Sequence, residues 1–527
     1  MMNGYKIHLT EYLEQNCNYF SEKKAIIYKD QSISFCNLHK KAISLAKYIS
    51  QKLSGLKNSI IAVYLPKSID SVVADLAVLY SANAYMNLDI TNPSHRLKNI
   101  VSQVKPSLVI TYSDLDTSFM NELFQAQKDN SNTPDVCFLD RINDELLVYE
   151  NNICEASEFI KDLVDTDPCC VINTSGSTGI PKAVVLNHRS FIDFTESIRH
   201  ENMFSESEII GSLSPYVFDI YSFELCMMMA FGATLVIIPD NYSLFPVKIL
   251  NLLELHNVTY IFWVPTIMVN IANMDLLSKI KLDSLKMVWF AGEVFPTAKF
   301  NYWFDRLSSH CRFMNFYGPI EITLDCLFYE VKSRLDDNTP IPIGKPFRNT
   351  AVLVLDDDNH KVDFGCEGEL CIRGSSLAMG YYNDPEKTSK AFVQNPLNNS
   401  YPELIYRTGD IVKQDKDGNF VYIGRKDTLV KRFGYRIELS EIEHVIVNVL
   451  KMAKNCCAVY LSESKDLFLV YENNIEINTK QWHLSLMSVF PKYMIPNKYV
   501  RLDELPRNLN GKIDRNLIKS KIVGDEW

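Results

Sequence analysis

Residues 173–182 read NTSGSTGIPK, a run of small and hydroxylated residues that ends near a lysine, Lys182. The apolar run CCVIN leads into it and VVL follows it, so the pattern predicts a loop between two strands. In a loop of this composition the backbone N–H groups can turn inward, and the hydroxyls and Lys182 add donors for a polyphosphate. No GK[ST] follows a second glycine, which argues against a P-loop NTPase.

Short apolar runs rich in β-branched residues alternate with amphipathic segments over much of the chain. This alternation predicts α/β layers with largely parallel, buried sheets. The strand-like runs are 60–65, 107–111, 233–238, 260–264 and 286–290, and helical spacing is found at 68–82 and 246–255.

Composition limits the class of protein. With 527 residues the chain is too long for one ordinary domain, and its formal charge of −10 argues against a nucleic-acid or anionic-membrane partner. The N-terminus lacks a secretory leader and no apolar stretch approaches the ~20 residues needed to span a bilayer, so we expect a cytoplasmic protein. Thirteen Cys without framework spacing predict reduced, buried thiols.

The texture of the sequence changes along the chain. Residues 121–150 are polar and weakly patterned, which we interpret as a surface excursion. From about residue 351, short strands alternate with turns, with Asp417 and Gly418 as a hairpin turn. The pattern predicts a large domain over 1–424, a hinge at 425–427 and a small domain over 428–527.

The order T-S-G-S-T-G-x-P-K closely resembles the phosphate loop of the adenylate-forming superfamily. That superfamily includes acyl-CoA synthetases, aryl-acid ligases, luciferases and the adenylation domains of nonribosomal peptide synthesis. Further motifs of the superfamily follow in order, so the resemblance extends from residue 33 to residue 515. They are NFYGPIE at 315–321, GELCIRG at 368–374, MGYY at 379–382, YRTGD at 406–410, GRKD at 424–427, GYRIELSEIE at 434–443 and NGKIDR at 510–515.

The resemblance implies a large N-terminal adenylation domain of layered sheets and helices and a small, mobile C-terminal domain that turns at Asp427. It also implies that ATP and Mg²⁺ are used, since attack of a carboxylate on the α-phosphate builds charge that cations and donors must stabilise. The implied phosphate ligands are Thr174, Ser175, Gly176, Thr178 and Lys182, with Glu321 on Mg²⁺.

Other residues are implied to hold the rest of the nucleotide. Asp410 would accept both ribose hydroxyls with help from Arg425, and Lys512 would bridge the substrate carboxylate and the α-phosphate. Lys512, Arg425, Thr178 and Lys182 are therefore the implied catalytic residues. The adenine site would comprise Tyr317 as stacking partner together with Gly292, Glu293, Asn315 and Phe316.

Two positions depart from the superfamily's pattern. Ile320 stands where a Thr hydroxyl usually reaches the AMP phosphate, and the loss of such a bond costs roughly 1.5–3 kcal/mol. Thr323 is a candidate to replace that hydroxyl. Ala183, where Gly usually follows the lysine, is the milder change.

The segment SPYVFDIYSFE at 214–224 resembles that of amino-acid-activating adenylation domains, in which an aspartate at the position of Asp219 pairs with the substrate's α-ammonium group. A carboxylate in an apolar wall needs such a cation to offset its desolvation. Four aromatic rings leave little space and Asp325 adds a polar end, which favours a small polar or cationic amino acid, serine first. The implied pocket residues are Asp219, Ile220, Phe223, Phe262, Trp289, Ala291, Phe316, Leu324 and Asp325.

Only twelve residues follow Arg515, and they contain no serine attachment site. We therefore expect a free-standing ligase similar to the D-alanine–carrier protein ligases, which loads the phosphopantetheine thiol of a separate carrier protein. Two alternatives stay open: an acyl- or aryl-acid CoA ligase, and a catalytically weak protein that binds adenylate.

Overall fold

The computed structural model describes residues 5–118, 134–142, 145–146, 157–174, 181–426, 429–472, 478–507 and 513–524. Its helices are α1 (Thr10–Tyr19), α2 (Phe35–Lys52), α3 (Ile69–Tyr80), α4 (Ser94–Val104), α5 (Ser157–Ile160), α6 (His188–His200), α7 (Asp219–Phe231), α8 (Pro246–Leu255), α9 (Pro265–Asn273), α10 (Thr297–Leu307), α11 (Pro385–Ala391), α12 (Leu439–His444), α13 (Thr479–Met487) and α14 (Arg515–Val523).

The strands are β1 (Lys24–Tyr28), β2 (Gln31–Ser34), β3 (Ile60–Tyr64), β4 (Ala84–Asn87), β5 (Leu108–Thr111), β6 (Asp135–Phe138), β7 (Pro168–Thr174), β8 (Lys182–Asn187), β9 (Ile209–Ser212), β10 (Thr234–Ile237), β11 (Tyr260–Trp263), β12 (Met287–Phe290), β13 (Arg312–Tyr317), β14 (Leu327–Val331), β15 (Lys345–Pro346), β16 (Thr350–Leu355), β17 (Glu367–Gly374), β18 (Gly380–Tyr381), β19 (Phe392–Gln394), β20 (Leu404–Gln414), β21 (Phe420–Arg425), β22 (Leu429–Arg432), β23 (Tyr435–Glu438), β24 (Asn455–Leu461), β25 (Asp466–Glu472) and β26 (Lys498–Leu502).

Two large sheets carry the expected parallel α/β layers. The first has the order β15-β14-β13-β12-β11-β9-β10-β1-β2, and the second has the order β18-β8-β7-β4-β3-β5-β6. Strands β1 and β9–β13 pair in parallel, as do β3–β7, while β2, β14, β15, β8 and β18 are antiparallel. One hydrophobic core joins residues of both sheets to α2, α3 and α7, which explains why α3 and α7 are apolar on nearly every side.

The predicted α/β fold is therefore confirmed, with one difference in the polar segment 121–150. Residues 135–138 form β6, which pairs in parallel with β5 at the edge of the second sheet. An edge strand is half-exposed and short, so its apolar signal is weak in the sequence. The rest of that segment lies largely outside the described residues.

A third, antiparallel sheet contains β16, β17, β19, β20 and β21. The turn between β20 and β21 has Gly418 in the left-handed region at a φ of 81°, which confirms the predicted hairpin at Asp417–Gly418. This sheet carries Asp410 and Arg425 toward the first two.

The described residues from 429 onward form what we call the C-terminal unit. It contains the hairpin of β22 and β23, the sheet β24-β25-β26 and helices α12–α14, and these elements share hydrophobic cores of their own. Among the helices described, none combines the length and the apolar character needed to cross a membrane. Cys169, Cys170, Cys456 and Cys457 are buried free thiols.

Candidate functional site

The two ends of the glycine-rich loop lie side by side. Thr174 ends β7 and Lys182 begins β8, and the two are partners in the antiparallel register. The Thr174 hydroxyl is buried and has no hydrogen-bond partner among the described residues. Lys182 Nζ lies 3.3 Å from Glu438 of the C-terminal unit and 5.8 Å from the ring centroid of Tyr381. Ser175, Gly176, Thr178, Asp427 and Lys512 lie outside the described residues.

Asp410 is held by two donors. Arg425 faces it across the β20–β21 register and donates from Nη1 at 2.6 Å, and the hydroxyl of Tyr317 also donates to its carboxylate. Asn315, two residues before Tyr317, donates to the carbonyl of Pro342 at 2.8 Å. Asp410 in the middle of β20 is thus brought together with Tyr317 at the end of β13 and Arg425 at the end of β21.

Glu321 is fully buried and ion-paired. Its carboxylate accepts from the Tyr381 hydroxyl at 2.8 Å and from Arg436 of the C-terminal unit at 2.6 Å. Burial acts to raise the pKa of Glu321, but the charge and hydrogen bond of Arg436 and the hydroxyl of Tyr381 outweigh it, so the pKa is lowered. Within the described ranges, no cluster of three metal-binding side chains surrounds it.

A tight turn over 318–326 connects β13 to β14 and shapes one wall of the site. A Cβ on Gly318 would lie 2.1 Å from the carbonyl oxygen of Leu324, so only glycine permits this close approach. Thr323 and Leu324 both have positive φ, at 53° and 63°, which is costly for residues with side chains. Ile320 packs into the large hydrophobic core, and the Thr323 hydroxyl is buried without a partner among the described residues.

Asp219 and Asp325 are neighbours at the acid pocket. Asp219 is the first residue of α7 and its carboxylate accepts from the backbone N–H of Ile220 at 2.9 Å. Burial raises the pKa of Asp219, and the charge of Lys431 opposes the shift. Burial and the negative charge of Asp219 raise the pKa of Asp325 well above its usual range. The half-buried carboxyl group of Asp219 and the buried carboxyl group of Asp325 are therefore close enough to interact, and a cationic ligand beside them would stabilise both in the ionised form.

The remaining pocket residues are packed together. Trp289 stacks on Phe316 with a centroid distance of 4.4 Å, and Phe223 meets Phe262 edge-on at 5.0 Å. These rings are each at most 2% exposed, and Trp289 Nε1 has no partner among the described residues. The aliphatic members Ile220, Ala291 and Leu324 are buried as well. These rings therefore form one close-packed aromatic cluster beside Asp219 and Asp325.

A buried polar group supports α7 from behind. Asp75 is fully buried and accepts from Tyr221 of α7 at 2.7 Å and from Asn87 at 3.1 Å. Burial raises the pKa of Asp75 to about 7. The helix that begins with Asp219 is thus anchored to α3 by a hydrogen bond whose acceptor has a pKa of about 7.

The C-terminal unit enters the site through its hairpin, residues 429–438. At the tip, Gly434 has a φ of 83° and donates its backbone N–H to Glu293 at 2.8 Å. Glu293 also accepts from Thr266 at the start of α9. Burial lowers the pKa of Lys431, while the charges of Asp410 and Asp219 oppose that change.

The sequence did not predict the roles of several of these residues. The motif at 434–443 indicated family membership, yet no role was inferred for Arg436, Glu438 or Lys431. Tyr381, in the motif at 379–382, was likewise missed as a partner of Glu321. An alternation of charged and apolar residues at 435–438 was the available signal, since it places Arg436 and Glu438 on one face of a strand.

The chain was compared with known proteins. A family model described as AMP-binding enzyme matches residues 13–382. Zwittermicin A synthase ZmaJ of Bacillus cereus is 31% identical over 508 residues, covering 94% of this chain and 92% of that protein. Tyrocidine synthase 1 of Brevibacillus parabrevis is 31% identical over 530 residues, but the chain spans only 45% of its length. The crystal structure of the Vibrio cholerae adenylation domain AlmE with glycyl-adenosine-5'-phosphate superposes with a TM-score of 0.84 at 20% identity, over 99% of both chains.

Proposed function

This chain belongs to the AMP-binding enzyme family and is an AMP-forming ligase of the adenylation-domain type, and we propose that it activates a small polar amino acid. Such an enzyme joins the carboxylate of its substrate to AMP and releases pyrophosphate. The observation that carries the proposal is the half-buried carboxyl group of Asp219 at the start of α7, which lies near the buried carboxyl group of Asp325. In this position it pairs with the α-ammonium group of an amino acid, because an unpaired carboxylate there is costly.

The size and polarity of the side chain follow from the pocket. The packed rings of Phe223, Phe262, Trp289 and Phe316 favour a side chain of few atoms. Asp325 is a polar end wall with a strongly raised pKa. A hydroxyl can hydrogen-bond that carboxyl group whether it is protonated or not, whereas a second ammonium group requires it ionised. Serine is therefore the preferred substrate, followed by alanine and short diamino acids.

The nucleotide site is assigned to the residues that the resemblance to the adenylate-forming superfamily implies. We assign Asp410 and Arg425 to the ribose, Tyr317, Asn315, Phe316, Gly292 and Glu293 to the adenine side, and Thr174, Ser175, Gly176, Thr178 and Lys182 to the phosphates. Lys512 is assigned to the reacting carboxylate and α-phosphate, where its charge stabilises the transition state.

Glu321 is the residue assigned to Mg²⁺, and its buried, ionised oxygens suit a hard cation. When bound, the metal supplies neutralisation of phosphate charge. A single carboxylate leaves most of the coordination to phosphate oxygens and water, which is typical of Mg²⁺ in such sites. Glu321 itself orients the ion, and Tyr381 fixes the rotamer of Glu321 through its hydroxyl.

We further propose that the activated amino acid passes to the phosphopantetheine thiol of a separate carrier protein, in the cytoplasm. The residues from 428 to 527 would act as a small domain that turns at 425–427, with Asp427 as the pivot, so that Lys512 serves the first half-reaction only. The contacts across this boundary include side-chain ion pairs, a hydrogen bond from the main-chain N–H of Gly434 and an edge-on contact between Tyr435 and Phe218, and the share of charged contacts supports a reversible association.

ATP–pyrophosphate exchange across a panel of amino, aryl and fatty acids tests the substrate class. We expect exchange with serine above all others, weaker exchange with alanine and diaminopropionate, and none with benzoate or octanoate. Asp325→Asn keeps the volume and should change the ranking of amino acids by about ten- to a hundredfold, since one buried hydrogen bond to a charged group is worth about 1.5–3 kcal/mol. Turnover of benzoate or octanoate with free CoA would place the enzyme among the CoA ligases instead, and absence of exchange with every acid would indicate an adenylate-binding protein.

A further inference from the structure

Arg436 and Glu438 oppose the two charges that the proposed function assigns to ATP. Arg436 donates to Glu321 at 2.6 Å, and Glu438 lies 3.3 Å from Lys182. Side-chain exposure at these contacts is 17% or less, so water screens them poorly. The guanidinium group of Arg436 is therefore paired with the carboxylate assigned to Mg²⁺, and the carboxylate of Glu438 is paired with the ammonium group assigned to the phosphates.

Both side chains come from one face of β23. They are two residues apart, and Ile437 between them is fully buried in the core of the C-terminal unit. The backbone of the hairpin thus aims one cation and one anion into the site at the same time. They can leave only together, since they share a rigid strand.

The cross-strand pairs within the hairpin also indicate that its charged side chains are suited to the site. Lys431 lies directly opposite Arg436 in the β22–β23 register, and like charges in this position destabilise an isolated hairpin. Carboxylates outside the C-terminal unit offset this repulsion. Glu321 accepts a hydrogen bond from Arg436, and the negative charges of Asp410 and Asp219 stabilise the charged form of Lys431. The charges of the hairpin are therefore suited to the site and not to the C-terminal unit itself.

We propose that the hairpin replaces Mg²⁺ and the β- and γ-phosphates in this arrangement, with Arg436 in the role of the metal's charge and Glu438 in the role of the phosphate charge. The proposal rests on the proposed function of Lys182 and Glu321. Mg·ATP and the docked hairpin then exclude each other, whereas AMP or an aminoacyl-AMP, which lacks the outer phosphates, leaves both ion pairs intact. The docked arrangement is accordingly reached only after pyrophosphate and metal have departed.

Binding titrations without any amino acid test the exchange of charges, because no reaction occurs. Calorimetry with Mg·ATP, ATP in EDTA and AMP is performed on the full chain and on Arg436→Gln, Glu438→Gln and Arg96→Gln. Arg96 pairs with Glu441 at 2.9 Å and also joins the C-terminal unit to the rest of the chain. Among the described residues it has no hydrogen bond or ion pair with those assigned to ATP, so it is the matched control.

Removing one of the competing charges raises the fraction of binding-competent molecules. We expect Glu438→Gln to tighten both ATP forms by about three- to tenfold. Arg436→Gln should tighten Mg·ATP by a similar factor while ATP in EDTA gains less, so that the magnesium dependence of binding grows. Arg96→Gln should affect both ATP forms equally and leave the magnesium dependence unchanged. AMP affinity should stay constant in all three, which also shows that the variants are folded.

Small-angle scattering supplies an independent measurement of the arrangement. Mg·ATP should change the scattering profile of the wild-type protein, and AMP should not. The proposal is overturned when Mg·ATP binds but Arg436→Gln and Glu438→Gln bind it no more tightly than wild type, or when Arg436→Gln and Arg96→Gln show the same magnesium dependence. If the wild-type protein binds neither ATP nor AMP, the proposed function fails instead.

Discussion

The acid pocket and the hairpin lie at the same site, yet different forces hold them in place. Stacked and edge-on rings build the pocket, and they are buried by contacts with one another and with the core. The hairpin is attached mainly by ion pairs and a hydrogen bond from a main-chain N–H, together with one edge-on aromatic contact between Tyr435 and Phe218. A close-packed wall keeps its shape when a ligand leaves. A charged group, in contrast, can exchange its partner for another partner of the same charge. The pocket therefore suits selection of a substrate, and the hairpin suits a change between two steps.

Replacing Asp219 should have the largest effect, because it tests the pocket at its anionic end. Removing one partner of a buried ion pair costs about 3–5 kcal/mol. Asp219→Ala should accordingly lower kcat/KM for serine-dependent pyrophosphate exchange by roughly two to four decades. Calorimetry should show unchanged binding of ATP. Asp219→Asn keeps the shape and should be nearly as inactive, so full activity in the asparagine variant would show that the charge is not used.

Replacing Lys512 tests whether the C-terminal unit moves between the two half-reactions. A donor aimed at developing charge is worth about 100-fold or more in rate. Lys512→Ala should lower exchange by at least that factor, while transfer of the acyl group from a supplied acyl-adenylate stays nearly intact. Lys519→Ala, at an exposed position of α14, serves as the control and should affect neither step. Equal losses in both half-reactions would contradict a turn of the C-terminal unit.

Asp75 tests whether the pocket's rigid support depends on pH. Its raised pKa of about 7 means that the folded state holds a proton between roughly pH 4 and 7 that the unfolded state releases. The free energy of unfolding should fall as the pH rises through this window, by about 2 kcal/mol between pH 5.5 and 7. Urea titrations at several pH values measure this slope. Asp75→Asn should flatten it, and an unchanged slope would assign the titration to other groups.

Substitutions of Ile320 are expected to have the smallest effect on activity. They test whether this position belongs to the packed core or to the nucleotide site. Ile320→Thr adds the hydroxyl that the superfamily usually has here, so kcat should rise by about tenfold with little change in the KM for ATP. Ile320→Val is the isosteric control without a hydroxyl and should not gain activity. Since Ile320 packs in the large core, a fall in both variants would mean that the pocket has been rebuilt around isoleucine.

The sequence predicts the layers and the family because both depend on local patterns. The helix over 246–255 begins and ends where expected, and the glycine-rich loop lies between β7 and β8. The edge strand β6 was missed because its alternation is brief. The partners of Glu321 and Lys182 were missed for a different reason. Arg436 and Glu438 reach them only through the relative position of two separately folded parts, which no local pattern encodes.

The tip of the hairpin has a consequence for the exchange of parts between related proteins. Gly434 offers its main-chain N–H to Glu293, and a Cβ on it would lie 2.9 Å from Val264. The contact thus uses only the main chain of the hairpin, and the position of Gly434 leaves no room for a side chain. A chimaera that receives residues 429–524 from a relative would keep this contact whatever its neighbouring side chains are, provided that a glycine remains at the tip.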